Sequence, residues 1–127
     1  MWLPVVLLVL VLTGCASVRE QTTARNGAIA DSVTTIVAIQ QANAVELNPL
    51  GVGGTIIAKA ATVGYIHFNP HNLSPQELDR ANRIAGSAWL GAAANNLMII
   101  AGSTNPIAIT TGVLTGLALW ANSKPPD

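Results

Sequence analysis

The chain has 127 residues, of which 50% are hydrophobic and only 9% charged, with six bases, six acids and no formal net charge. An ordinary soluble domain carries roughly 25% charged residues, and twelve ionisable side chains are too few to clothe one of this length in a water-facing surface. With no basic run the electrostatic footprint of a nucleic-acid binder is missing, and a single cysteine excludes an intrachain disulfide and a Cys-rich zinc site.

The first twelve residues, MWLPVVLLVLVL, are apolar throughout. They match the length of a signal-peptide hydrophobic region and are short for a membrane span. Leu12-Thr13-Gly14-Cys15 follows: a branched apolar residue, two small ones and a thiol. This resembles the lipobox of bacterial lipoproteins. The resemblance implies that residues 1–14 form a cleaved signal and that Cys15 carries the lipid anchor. It implies a bacterial membrane protein, anchored on the periplasmic or extracellular side. The segment departs from the usual pattern in having no Lys or Arg ahead of the apolar run.

Residues 15–26 are small and polar and read as a tether. Beyond them the pattern predicts four helices, at about 27–46, 50–68, 75–101 and 106–121, and no strand. Asn48-Pro49 and Asn105-Pro106 read as helix starts, because Asn caps free backbone N–H groups and Pro needs none at the next position. Asn69-Pro70 reads as the end of the second helix. Ser74-Pro75-Gln76-Glu77 is a capping box with Pro at the first helical position. The expected fold is therefore all-α, a bundle of about four short hydrophobic helices over 27–121, embedded in a membrane and followed by a polar tail at 122–127.

Ile84 to Ser123 contains no charged residue, which predicts two antiparallel spans joined by a turn at GSTNP. Ala108, Gly112 and Gly116 recur every fourth residue, as do Ser87, Gly91 and Asn95. Such stripes let helix backbones approach closely. The helices before them hold Asp31, Glu46 and Lys59, and an ionisable group at membrane depth needs a partner or a cavity. In a hairpin about Asn48, Lys59 lies eleven residues from the turn and Asp31 seventeen. At 1.5 Å per residue that leaves an axial offset of about 9 Å, so pairing would need snorkelling, a water or a third group. Asn95 and Asn96 are the groups placed to supply it.

The same polar residues carry a second resemblance. Asp31, Thr34 and Thr35 in DSVTT, Glu46, Asn48 and Pro49 in ELNPL, then Lys59 and one of Asn95 or Asn96, resemble a family of small prokaryotic membrane proteins of unknown function. The match covers residues 27–101 and implies an integral membrane bundle without assigned chemistry. Outside Lys59 every base falls on one side of the expected bundle: Arg19, Arg25, Arg80, Arg83 and Lys124. The positive-inside tendency would place that side in the cytoplasm, whereas cleavage at Cys15 places it outside, and the lipobox motif is followed here.

Nothing in the sequence points to catalysis or a cofactor. His67 and His71 are separated by Pro70 and have no acid beside them to complete a metal-ligand set. Asp31 and Glu46 would lie about 22 Å apart on one helix, beyond the reach of a carboxylate pair. The functional expectation is a structural or interaction role in the cell envelope, with membrane lipid and either a second copy or another envelope protein as partners. Two alternatives stand beside it: a membrane bundle that moves a proton or small ion past Asp31 and Lys59, and a soluble helical lipoprotein tethered to a membrane.

Overall fold

A computed structural model describes residues 17–42, 44 and 49–125. Over these residues the only regular secondary structure is α-helix, with five helices in place of the expected four: α1 Val18–Gln21, α2 Ala24–Ala42, α3 Gly51–Phe68, α4 Pro75–Ile100 and α5 Asn105–Asn122. The lipobox and Cys15, together with Glu46 and Asn48, lie outside the described residues.

The extra helix occupies what read as a tether. Ser17 accepts from the Glu20 backbone N–H and the Glu20 carboxylate accepts from the Ser17 N–H, a reciprocal cap that starts α1. Thr22 and Ala24 directly after it are almost fully buried, so residues 17–26 are part of the packed structure. The same logic starts α4, where Ser74 and Glu77 form the second capping box and Pro75 occupies the first turn. Asn69 ends α3 in the left-handed conformation, φ 45°. Its side chain then binds both backbone groups of Leu73, at 2.7 and 3.0 Å, and closes the NPHNL loop.

The other two Asn-Pro pairs behave differently from the expectation. Pro49 lies in a turn and α3 begins at Gly51, after Leu50. At α5 the cap position is Thr104, which makes no side-chain cap bond, and Asn105 is already helical. At α5 the turn of residues 101–104 sets the first helical residue rather than an Asn side-chain cap.

The helices do not close into a ring. They form an open row in the order α3, α2, α4, α5, with α2 on α4 and α4 on α5 as the extensive interfaces and α3 lying mainly on α2. Neighbours in the chain run antiparallel, while α2 and α4 run parallel: the Ala24 N–H donates to Asn82 Oδ1 near the start of both helices, and Asn96 meets Asp31 further along. Backbones approach closely at glycine. A Cβ on Gly27 would stand 2.8 Å from the Gly86 carbonyl oxygen, and one on Gly91 would stand 2.6 Å from that of Gly112. Gly116 lies against Ser87 in the same groove, and Ala108 is 0% exposed.

Small side chains therefore fill the interior, and large ones are left outside. Among the described residues the buried apolar side chains are all alanines, whereas Phe68 and Ile57 are 79% and 71% exposed, and Leu114 and Leu117 are also exposed. Among the described residues no helix is long and apolar enough to cross a membrane. The expected pair of spans over 84–123 is thus an α4/α5 hairpin whose helices do not individually qualify.

The row also segregates charge along its axis. The starts of α2 and α4 and the ends of α3 and α5 share one end, where Arg19 pairs with Asp79 at 3.1 Å. There Arg83 reaches across to α5, donating from Nε to Ser123 Oγ at 3.1 Å and from Nη2 to the Trp120 carbonyl at 2.9 Å. Its guanidinium also stacks over the Trp120 ring at 4.2 Å, a cation–π contact that adds to the tie. The opposite end, with the 101–104 turn, has no charged side chain among the described residues.

Candidate functional site

Half-way along the row three helices meet in a buried polar cluster. Asp31, Thr34 and Thr35 sit at i, i+3 and i+4 of α2 and so share one face. Lys59 comes from α3 and Asn96 from α4. Asp31 is 7% exposed and Lys59 9%, and Lys59 Nζ lies 2.7 Å from Asp31 Oδ2. The other carboxylate oxygen, Oδ1, accepts from Asn96 Nδ2 at 3.1 Å and faces Thr35 Oγ1 at 3.4 Å.

Asn96 is the centre of the cluster. Its Nδ2 also donates to Thr35 Oγ1 at 2.9 Å and to Thr34 Oγ1 at 3.2 Å. Because a carboxylate can only accept, the amide nitrogen must be the group turned toward Asp31. Two amide protons serve three acceptors, so one bond is shared. Thr34 in turn donates to the Ala30 carbonyl at 2.8 Å, a back-bond that satisfies its proton within the helix. Every polar group of the cluster is thus turned onto another group of the chain.

The direct Asp31–Lys59 pair replaces the 9 Å offset expected from the sequence. That offset assumed a first helix reaching Glu46 and a turn at Asn48. In the structure α2 ends at Ala42 and α3 starts at Gly51. Asp31 is then eleven residues from the end of its helix and Lys59 eight from the start of its own. The remaining offset, about 4.5 Å at 1.5 Å per residue, is within the reach of a lysine side chain.

The two asparagines divide their contacts. Asn96 joins the cluster, while Asn95 faces α5, where its Cβ is one of the atoms that a Cβ on Gly112 would meet, at 2.9 Å, and its Nδ2 donates a long bond to Asn96 Oδ1 at 3.5 Å. Asn95 Oδ1 is buried without a hydrogen-bond partner. Of the remaining positions singled out in the sequence, Pro49 is exposed in the turn before α3, and Ala108, Gly112 and Gly116 line the α4/α5 contact. His67 and His71 go separate ways: His71 Nδ1 bonds Tyr65 Oη at 2.7 Å and His67 packs edge-on against Phe68. No group of three metal-ligating side chains occurs among the described residues.

Sequence reasoning missed the Arg83–Trp120–Ser123 tie. A signal was present, since Arg83 and Ser123 each lie twenty residues from Ser103 in the turn and an antiparallel hairpin must bring such positions together. The first helix was also signalled, by Ser17 three residues ahead of Glu20.

No family model, curated protein or solved structure matches the chain.

Proposed function

We propose that this is a small lipid-anchored protein of the bacterial envelope whose helical row is embedded in the membrane as a folded unit and serves a structural or interaction role. The observation that carries the reading is the inverted distribution of side chains. Soluble proteins bury their large aliphatic residues and rarely fully bury Asp, Lys or Arg. Here Asp31, Lys59 and Arg83 are buried among alanines and threonines while Ile57, Phe68, Leu114 and Leu117 face outward. An apolar exterior on this scale fits lipid or a second apolar surface, and polar groups that pair with one another inside are what an apolar surrounding demands.

Two further features support it. Small-residue contacts at Gly27–Gly86 and Gly91–Gly112 suit helices that associate without a hydrophobic driving force. The charged end of the row carries Ser17, two residues along the chain from Cys15, so an acyl anchor and a headgroup-level charged rim belong to the same side. Since no described helix qualifies as an independent span, the unit that enters the apolar phase is the assembled row, with its polar cluster already closed. The closed hydrogen bonding of Asp31 and Asn96 favours a clamp between helices over a catalytic or ion-carrying group.

The test is alkaline carbonate extraction of membranes bearing the wild-type chain or Cys15→Ala. Retention of the Cys15→Ala protein in the membrane pellet is the expected outcome. Its release, with the wild type retained, would show a soluble domain held only by its lipid.

A further inference from the structure

The open row leaves a groove of about 440 Å³ between α2 and α3. Its walls are apolar, formed by Ala28 and Ile29 on one side and Ile56, Ala60 and Val63 on the other, and Lys59 is part of its lining. Arg25 and His67 line it too, and no acid does. Lys59 is neutralised by Asp31. The ion pairs among the described residues are Arg19–Asp79, Arg83–Asp79 and Lys59–Asp31, which leaves Arg25 exposed and without an acidic partner.

We infer that this groove holds one acyl chain of an anionic phospholipid, with the lipid phosphate against Arg25. The inference rests on the membrane-embedded reading above. Charge complementarity is the first argument, since an apolar channel with an unpaired guanidinium and no carboxylate fits an amphiphile with a negative head. Position is the second. Arg25 lies six residues before Asp31, and His67 eight after Lys59 on an antiparallel helix, so both stand on the charged-end side of the buried pair, by about 9 and 12 Å. Length is the third. From His67 to Ile56 the groove runs about 16 Å along α3, which is half of the roughly 30 Å hydrocarbon thickness of a bilayer. The head would therefore sit at the charged rim and the chain would reach one leaflet deep. His67 offers a ring N–H as a second contact to the phosphate.

The test uses the full, acylated chain reconstituted in phosphatidylcholine vesicles with trace spin-labelled phosphatidylglycerol or phosphatidylcholine, read as the motionally restricted fraction by electron paramagnetic resonance. One arginine near an anionic head predicts about a fivefold preference for phosphatidylglycerol. Arg25→Gln should remove that preference, Arg25→Lys should keep it, and Arg80→Gln, at the charged end but outside the groove, should leave it intact. Val63→Trp should fill the channel and reduce the restricted fraction of both lipids, at unchanged helical circular dichroism. A preference that survives Arg25→Gln, or falls equally with Arg80→Gln, overturns the site in favour of general surface charge. Loss of the preference in excess glycerol phosphate overturns the acyl-chain part. A carbonate wash of parallel vesicles bearing the Cys15→Ala chain, which has no acyl anchor, separates the two readings: protein stripped from those vesicles refutes embedding itself, whereas retained protein without a lipid preference refutes only the groove.

Discussion

Lys59→Ala is the perturbation that most directly examines how the row is held together. Lys59 is the one buried residue of α3, and its ammonium is the only charge that balances Asp31 in the cluster. Removing one member of a buried pair leaves an uncompensated charge and typically costs about 3–5 kcal/mol. Asp31 would keep its Asn96 bond, which places the expected loss near the lower limit, at about 3 kcal/mol. Against a total stability of about 5–15 kcal/mol that is a large share, and for a chain of this size it lowers Tm by about 10 °C or more. Because α3 has little other buried surface, the loss should first appear as faster amide exchange confined to residues 51–68. The assay is thermal unfolding by circular dichroism with site-resolved exchange, on Lys59→Ala, Asp31→Asn and the double variant. The double variant should lose much less than the two singles together, since neither charge is left alone. Additivity within about 0.5 kcal/mol, or a Lys59→Ala loss below 1 kcal/mol, would refute the clamp.

The two asparagines should respond unequally. Asn96→Ala removes a bond to a buried carboxylate and should cost about 1.5–3 kcal/mol, whereas Asn95→Ala deletes an unpartnered oxygen and a long 3.5 Å bond to Asn96 Oδ1 while keeping the Cβ against Gly112, and should cost less than about 1 kcal/mol in the same melts. Gly91→Ala places a methyl 2.6 Å from the Gly112 carbonyl oxygen, so α4 and α5 must move apart, and overpacking of this kind costs about 1–3 kcal/mol; a variant as stable as wild type would show that the interface is not tight. Glu77 is held below the ordinary glutamate range, first by the Ser74 backbone N–H, then by the Ser74 side chain, with Arg80 adding attraction. A depressed folded-state value means stabilisation that is present above the unfolded-state value near 4.5 and is lost as pH falls through the lower folded-state value. Glu77→Gln should lack that component, so wild-type and variant melting curves should converge in acid; unchanged separation across that range would contradict the cap.

What could be read directly from the residues was local. The capping box at Ser74–Glu77 and the helix end at Asn69 depend on side chains bonding backbone within a few positions, and both stand in the structure. So does the all-helical class, because no segment alternates apolar and polar residues as a strand requires. The buried charges were also legible as a problem in need of a partner, though not the solution.

The partnership itself was decided by tertiary structure. Whether Lys59 could touch Asp31 turned on α2 stopping at Ala42, four residues short of the expected end at 46, and on α3 starting at Gly51, one residue after its expected start. Whether Asn95 or Asn96 joined them turned on which face of α4 met α2, and the parallel run of those two helices is a long-range choice that no local pattern encodes. The open order α3, α2, α4, α5 likewise follows from which small-residue surfaces fit at glycine contact distance. Sequence by itself determined where helices could form and that their few charges must be satisfied. Only the packing of backbones, brought close by Gly27, Gly86, Gly91 and Gly112, determined which groups satisfy them, because hydrogen-bond reach is a matter of a few ångströms between residues as many as sixty-five positions apart.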